Sequence, residues 1–257
     1  MKKLNRMGVM LIVLLSLSCT LKAQGQQATK AAPSPEALAK ADAEVDKKAS
    51  DWVASLSLTD TAKATRVKNV IATHLKAIRD WNNSHSYESV PAGIDPATGK
   101  ALSTMDRQII INSSLPKSVH ENLMAGLRND LTEEQVEAVL DKYTIGKVAF
   151  TLAGYKAIVP DLTPVEEAAI LANLKQAREQ AVDFKNIKQV SAIFEIYKTK
   201  NEQYLNSNGR NWHKLYGDYT KAIIAKKAAD KAAKEAADKA AADKEAAEKA
   251  AKEEAAS

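Results

Sequence analysis

The sequence predicts an all-α fold: a compact multi-helix domain followed by a long exposed helix rich in Ala, Lys and Glu. Three observations carry that expectation. Val67, Val70, Ile71, Leu75, Ile78 and Trp81 recur at three- and four-residue spacing, which puts them on one apolar stripe of a helix. Helix-start signals recur along the chain. From Ala225 onward almost every residue is Ala, Lys, Glu or Asp.

Residues 1–23 have the pattern of a secretory signal. Lys2, Lys3 and Arg6 precede an apolar run from Val9 to Leu15, and small residues lead to Ala23. The run is too short for a bilayer, which takes about 20 apolar residues, so no transmembrane span is expected. Two processing routes are open. Cleavage after Ala23 leaves a soluble chain starting at Gln24, and is favoured. Lipid attachment at Cys19, the single cysteine, is the alternative, although Ser16 stands where lipoprotein signals place an aliphatic residue. Export, periplasmic or beyond, excludes most nucleotide-dependent and nucleic-acid chemistry. The mature chain would carry no disulfide.

Residues 24–34 read as a polar linker, 35–220 as one globular helical domain and 221–257 as the charged tail. Ser34-Pro35-Glu36 and Ser103 with Asp106 are start signals. Leu131-Thr132-Glu133-Glu134-Gln135-Val136 is a capping box with a hydrophobic staple. Thr163-Pro164-Val165-Glu166 repeats the box with proline at the first helical position. Helices are expected between Thr59 and Trp81 and over 116–128, 132–142, 164–184 and 187–206. Residues 143–159 are ambiguous. Val148, Phe150 and Leu152 alternate as in a strand, and Ala153-Gly154 could turn a hairpin, but helical surroundings and the stop at Pro160 favour helix. In the tail, acid and base sit four apart at Asp230/Lys234, Glu235/Lys239, Glu245/Lys249 and Glu248/Lys252. Without Leu or Ile heptads it reads as a solvated single helix, a spacer first and an element reaching an envelope protein second.

The formal charge of +5 belongs mostly to the signal. Without Lys2, Lys3, Arg6 and Lys22, 33 bases face 32 acids, and residues 24–220 are neutral. Bulk-charge binding of nucleic acid is not expected.

No motif names a reaction. Gly93 to Lys100 has five residues between its glycines where a phosphate loop has four, and Ala101 stands where Ser or Thr would be. His120-Glu121 opens like a zinc-protease helix, but Met124 replaces the second histidine. No cofactor or metal is expected. His74, on the apolar stripe, reads as a hydrogen-bonded core histidine. Arg178 and Glu179 read as a buried ion pair first and as site residues second. No serine sits in a nucleophile elbow, and no pair of carboxylates shows glycosidase spacing.

Two polar loops with aromatics are the candidate ligand site. The first, 82–102, offers Trp81, Asn82, Asn83, His85, Tyr87, Asp95 and Lys100; long irregular loops in compact domains are often functional. The second, 206–213, offers Asn208, Arg210, Asn211, Trp212 and His213. Aromatic rings with convergent amides suit a sugar. The bland reading is that Asn206 and Gly209 cap a helix while Trp81 and Trp212 fill the core.

Phe150-Thr151, Tyr155, Ile158, Pro160, Leu162-Thr163, Ala177-Arg178-Glu179, Ala181 and Asp183 resemble the core pattern of a secreted bacterial domain-of-unknown-function family. So do Phe194, Tyr197-Lys198, Asn201, Tyr204-Leu205 and Gly209. The resemblance covers roughly 45–220. It implies an all-helical exported protein from a polysaccharide-utilisation setting, and no established activity or site residue. Leu131-Thr132-Glu133-Glu134-Gln135 also resembles the LTxxQ motif of small periplasmic stress chaperones, although the capping box accounts for those residues alone. The leading expectation is therefore an exported accessory protein that binds a polysaccharide or oligosaccharide. A chaperone-like or envelope scaffold protein is the second reading. An enzyme, a lyase or hydrolase with His85 or His213 as base, is the third.

Overall fold

The computed structural model describes residues 33–254 except Ala97, with side chains as far as Lys244. The export signal, its cleavage position, Cys19 and most of the linker lie outside the described residues. The described residues form nine α-helices: α1 (Pro35–Ala54), α2 (Thr61–Ser84), α3 (Thr104–Asn112), α4 (Lys117–Asp130), α5 (Glu133–Thr144), α6 (Lys147–Ile158), α7 (Pro164–Ala181), α8 (Ile187–Ser207) and α9 (Trp212–Glu254). Strand pairing among them is confined to one isolated bridge, Ile94 with Ala101. No described helix is long and apolar enough to cross a membrane.

The start signals act as local chemistry requires. Thr132 and Gln135 exchange side-chain and backbone hydrogen bonds at the head of α5, and Thr163 with Glu166 does the same at α7, behind Pro164. Ser103 with Asp106 closes a third box at α3, and the Ser34 side chain caps α1. Each cap satisfies N–H groups that a helix start leaves orphaned, worth about 1 kcal/mol apiece. Residues 147–158 are helical, so no hairpin forms at Ala153-Gly154. The turn before α6 places Ile145 and Gly146 in left-handed conformations. Ile145 is 68% exposed, and for a β-branched residue this conformation carries backbone strain. The helix of the apolar stripe runs on to Ser84, so the first candidate loop starts later than its composition suggests.

Two hydrophobic cores form. The first joins α1, α2, α4 and α5 through Val53, Ile71, Leu123, Leu127 and Val139. The second joins α6, α7 and α8 through Tyr155, Ile170, Leu174, Phe194 and Leu205, with Ile109 of α3 and Trp212 and Leu215 of α9 packed on it. Complete burial of one Leu or Ile contributes about 2 kcal/mol. Helix α7 serves both: Ala177 and Ala181 belong to the second core, and Val182, just past its end, belongs to the first.

Helices α2 and α4 approach closely at Gly126, where an added Cβ would lie 2.6 Å from Val70 Cγ2. The β-branched valine has little rotamer freedom to give way. Beyond the second core, α9 leaves the body: residues 224–244 are all exposed. Lys231 Nζ stands 3.7 Å from Glu235, an exposed pair of small energetic weight.

Two outcomes are expected in urea denaturation. Gly126→Ala destabilises by about 1–3 kcal/mol through overpacking, although alanine is the better helix former; adding Val70→Ala recovers part of the loss. Deleting residues 226–257 leaves the midpoint and slope unchanged, because the deleted residues that are described bury nothing.

Candidate functional site

Helix α8 separates the two candidate loops. Lys185, just before it, donates to Asn83 Oδ1 at 3.2 Å, while Arg210 follows its other end. A helix of 21 residues spans about 30 Å at 1.5 Å per residue. The loops therefore lie at opposite ends of α8.

Near the first loop, His85 stacks on the Trp81 ring with centroids 3.6 Å apart. Trp81 Nε1 donates to Ile111 O at 3.2 Å, and Asn82 Nδ2 donates to Ile78 O within the helix. Arg107 lies over the Tyr87 ring at 5.3 Å. Asp95 N donates to Lys100 O in a tight reversal, where Gly99 adopts a positive φ of 67°. The Lys100 side chain is exposed.

In the second loop Arg210 is a clamp. Its guanidinium donates to both Glu166 oxygens at 2.6 and 2.8 Å, and to Asp161 Oδ1 and O at 2.9 Å each. Glu166 is only 6% exposed, and the hydrogen bond from Arg210 holds its carboxyl down at about 2, against the burial that raises it. Asn208 ends α8, and Asn211 Oδ1 accepts from Lys214 N to start α9. Trp212 is half-buried beside Tyr155 with ring centroids 5.2 Å apart. Trp212 and His213 also line a groove of about 930 Å³ between α6, α8 and α9, with Phe150, Glu202, Tyr216 and Tyr219. Phe150 is 79% and Tyr216 52% exposed, so two rings face solvent there. Burial pushes the Glu202 carboxyl up, against the pull of Lys198.

A second cleft, about 780 Å³, opens between the end of α3, the start of α4, α7 and α8. At its wall Asp183 accepts from two imidazoles: His120 Nδ1 at 2.9 Å and, behind it, His74 Nε2 at 2.9 Å. His74 is buried, and its Nδ1 meets Tyr143 OH at 3.2 Å. Since a carboxylate only accepts, His120 carries its proton on Nδ1 and His74 on Nε2. His120 Nε2 is left facing Glu179, 3.7 Å away. The hydrogen bond to Asp183 holds His120 above the usual imidazole range against the opposing effect of burial, and Glu179 adds to it. Burial disfavours the Asp183 charge, but the two imidazoles outweigh it and hold the carboxyl low. Asn112, 3% exposed, also lines the cleft, and its Nδ2 has no hydrogen-bond partner.

His74 is thus a hydrogen-bonded core histidine, as expected. The Arg178–Glu179 pair does not form: Arg178 turns to Asp141 at 2.9 Å and Glu137 at 3.4 Å, while Glu179 faces His120. Consecutive residues on a helix do not face each other. Sequence reasoning missed the His74–Asp183–His120 set. In the sequence His120 stands in a near-match to a zinc helix and Asp183 in the family pattern, and no spacing joins either to His74. Among the described residues, no group of three or more His, Cys, Asp or Glu is placed to hold a metal ion.

These features define an all-helical domain with two cores, a polar cleft at their seam and an aromatic groove at the far side. A family model described as protein of unknown function (DUF3826) matches residues 42–226, and the chain belongs to that family. The match runs from α1 into α9 and stops where the charged tail begins. The chain matches none of the curated proteins compared with it.

Arg210→Met is expected to cost on the order of 3 kcal/mol at neutral pH, because it strands a buried carboxylate. The pair's stabilisation is present above the unfolded glutamate value near 4.3 and is lost as pH falls toward about 2. Urea midpoints for wild type and variant, well separated at pH 7, should therefore converge near pH 2.

Proposed function

We propose that this protein is an exported accessory protein of polysaccharide use that binds a glycan in the groove between α6, α8 and α9. The observation carrying the proposal is that groove's lining. Trp212, Tyr216, Tyr219 and Phe150 offer ring faces, and Glu202, His213 and Lys198 offer polar contacts beside them. Sugar rings present apolar C–H faces and equatorial hydroxyls, so aromatic platforms edged by polar groups match both. Export is supported by the basic, apolar and small-residue pattern of residues 1–23. The polysaccharide setting is supported by the family resemblance of the segment that builds the groove.

In this reading Trp212 and His213 are the contributing members of the second loop, while Asn208, Arg210 and Asn211 shape it. A short oligosaccharide engages one end of α8 and not both. Trp81, Asn82, His85, Tyr87, Asp95 and Lys100 therefore belong to a separate subsite, met only by a longer chain.

Thermal unfolding against a panel of plant and host oligosaccharides tests the proposal. A ligand that binds only the folded state raises the midpoint according to its concentration over its dissociation constant. One glycan class should give a shift. Phe150→Ala with Tyr216→Ala should weaken that glycan about tenfold or more, equivalent to 1.4 kcal/mol, without altering the ligand-free midpoint. No shift with any glycan would reject the proposal.

A further inference from the structure

We propose that the cleft between α3, α4, α7 and α8 is a hydrolytic site for acyl esters, with His120 as general base on a water molecule. The inference is independent of glycan binding at the aromatic groove. Asp183 accepts the hydrogen bond from His120 Nδ1, which fixes the tautomer and leaves the Nε2 lone pair at the cleft wall, 3.7 Å from Glu179. Asp183 is itself held by His74, and His74 by Tyr143, so the dyad is anchored to α2 and α5. These three are positioning residues.

The reaction balances with water alone. His120 Nε2 removes a proton from water as its oxygen adds to the ester carbonyl carbon. The carbonyl oxygen becomes an oxyanion. The carbon–oxygen bond to the alcohol then breaks, and the His120 imidazolium returns the proton to the leaving alkoxide, giving acid and alcohol. Asp183 and Glu179 both stabilise the transient imidazolium. An oxyanion needs pre-placed donors in a site poor in water. Asn112, on the cleft wall, carries an Nδ2 with no protein partner; the atom is shut off from solvent, so it donates to the oxyanion once its side chain turns into the cleft. Pro116 gives the start of α4 no side-chain cap, and Pro116 and Lys117 line the same cleft, although Val119 N already donates to Pro116 O at 2.9 Å.

Glycoside hydrolysis fits this site less well. It needs a carboxyl group kept protonated as the acid, and Asp183 is held ionised by its imidazoles. Leu115, Phe184 and Ile193 give the cleft apolar wall, while Gln176 and Gln180 add amides. An ester on a hydroxylated carrier, such as an O-acetylated sugar, suits that mixture.

Base catalysis requires neutral His120. The groups around it are Asp183 and Glu179 on the α7 side, Lys117 and Glu121 on α4, His74 of α2 behind Asp183, and Tyr197 of α8 across the cleft. Carboxylates dominate, so the rate should rise with pH through an inflection above the free imidazole value of about 6.5.

The test follows hydrolysis of 4-nitrophenyl acetate and acetate release from O-acetylated xylo-oligosaccharides between pH 5.5 and 9.5. Wild type should turn over both, with kcat/KM inflecting above about 6.5. His120→Gln should lose about 100-fold or more. Asn112→Ala should lower kcat about 100-fold with little change in KM. Asp183→Asn should reduce the rate and displace the inflection, which a merely structural role would not do; should it fail to fold, the other two variants decide. Circular dichroism and unfolding midpoints establish which variants are folded. Folded wild type releasing no acetate from either ester, or folded His120→Gln keeping activity within threefold, would overturn the proposal.

Discussion

The protein depends on what happens along one face of α7. Two hydrophobic cores, each built from ordinary helix packing, have to be joined into one body, and the joint is polar. Lys175 and Arg178 reach from α7 to Glu137 and Asp141 of α5. Two residues beyond the helix, Asp183 gathers His74 from α2 and His120 from α4. A purely apolar seam would hold two cores together but would let them slide. Charge-assisted hydrogen bonds have short, directional optima, so they set the register of one half on the other. Arg178 illustrates the balance: it is 4% exposed and offset by two carboxylates, while its Nε has no partner. Where such a seam reaches the surface it makes a crevice lined by ionisable groups already held in place. Rigid scaffold and chemically able surface thus come from the same contacts.

How legible this was in the sequence depends on the range of the interactions. Thr132 with Gln135, Thr163 with Glu166 and Ser103 with Asp106 are three residues apart, so their capping geometry is written in the local order of residues. The stripe from Val67 to Ile78 is likewise a local period, and it located the buried face of α2. The Asp183 set is different in kind. His74 and Asp183 are 109 positions apart, and His120 and Asp183 are 63 apart. No spacing rule joins them; only the packing of α2, α4 and α7 does. The same limit explains the misread neighbour pair at 178–179, where adjacency in sequence suggested contact and helical rotation forbids it. The two loops were recognised as polar and aromatic, but their separation by the length of α8 is a tertiary fact.

The two cavities differ in the chemistry they can support. The groove by α9 is broad and ringed with exposed aromatics, which suits shape-tolerant recognition. The seam cleft is more polar, and its key groups are tethered through a second layer of contacts. A surface that recognises and a crevice that could act are therefore built on different helices, with α8 contributing to both. Occupancy of one need not distort the other, because α8 is fixed along its length by Val190, Ile193, Phe194 and Leu205.

The Arg210 clamp also has a mechanical meaning. It secures the short connection from which α9 departs, and α9 extends over 43 residues, about 64 Å at 1.5 Å per residue. Residues 224–244 are exposed throughout, so over that stretch the direction of the helix is set at its root. A tilt of about 10° there would carry the far end sideways by about 11 Å for a helix of this rise. One guanidinium and two carboxylates, together with Trp212 and Leu215 packed on the second core, thus fix the aim of a boom several times longer than the contact that holds it.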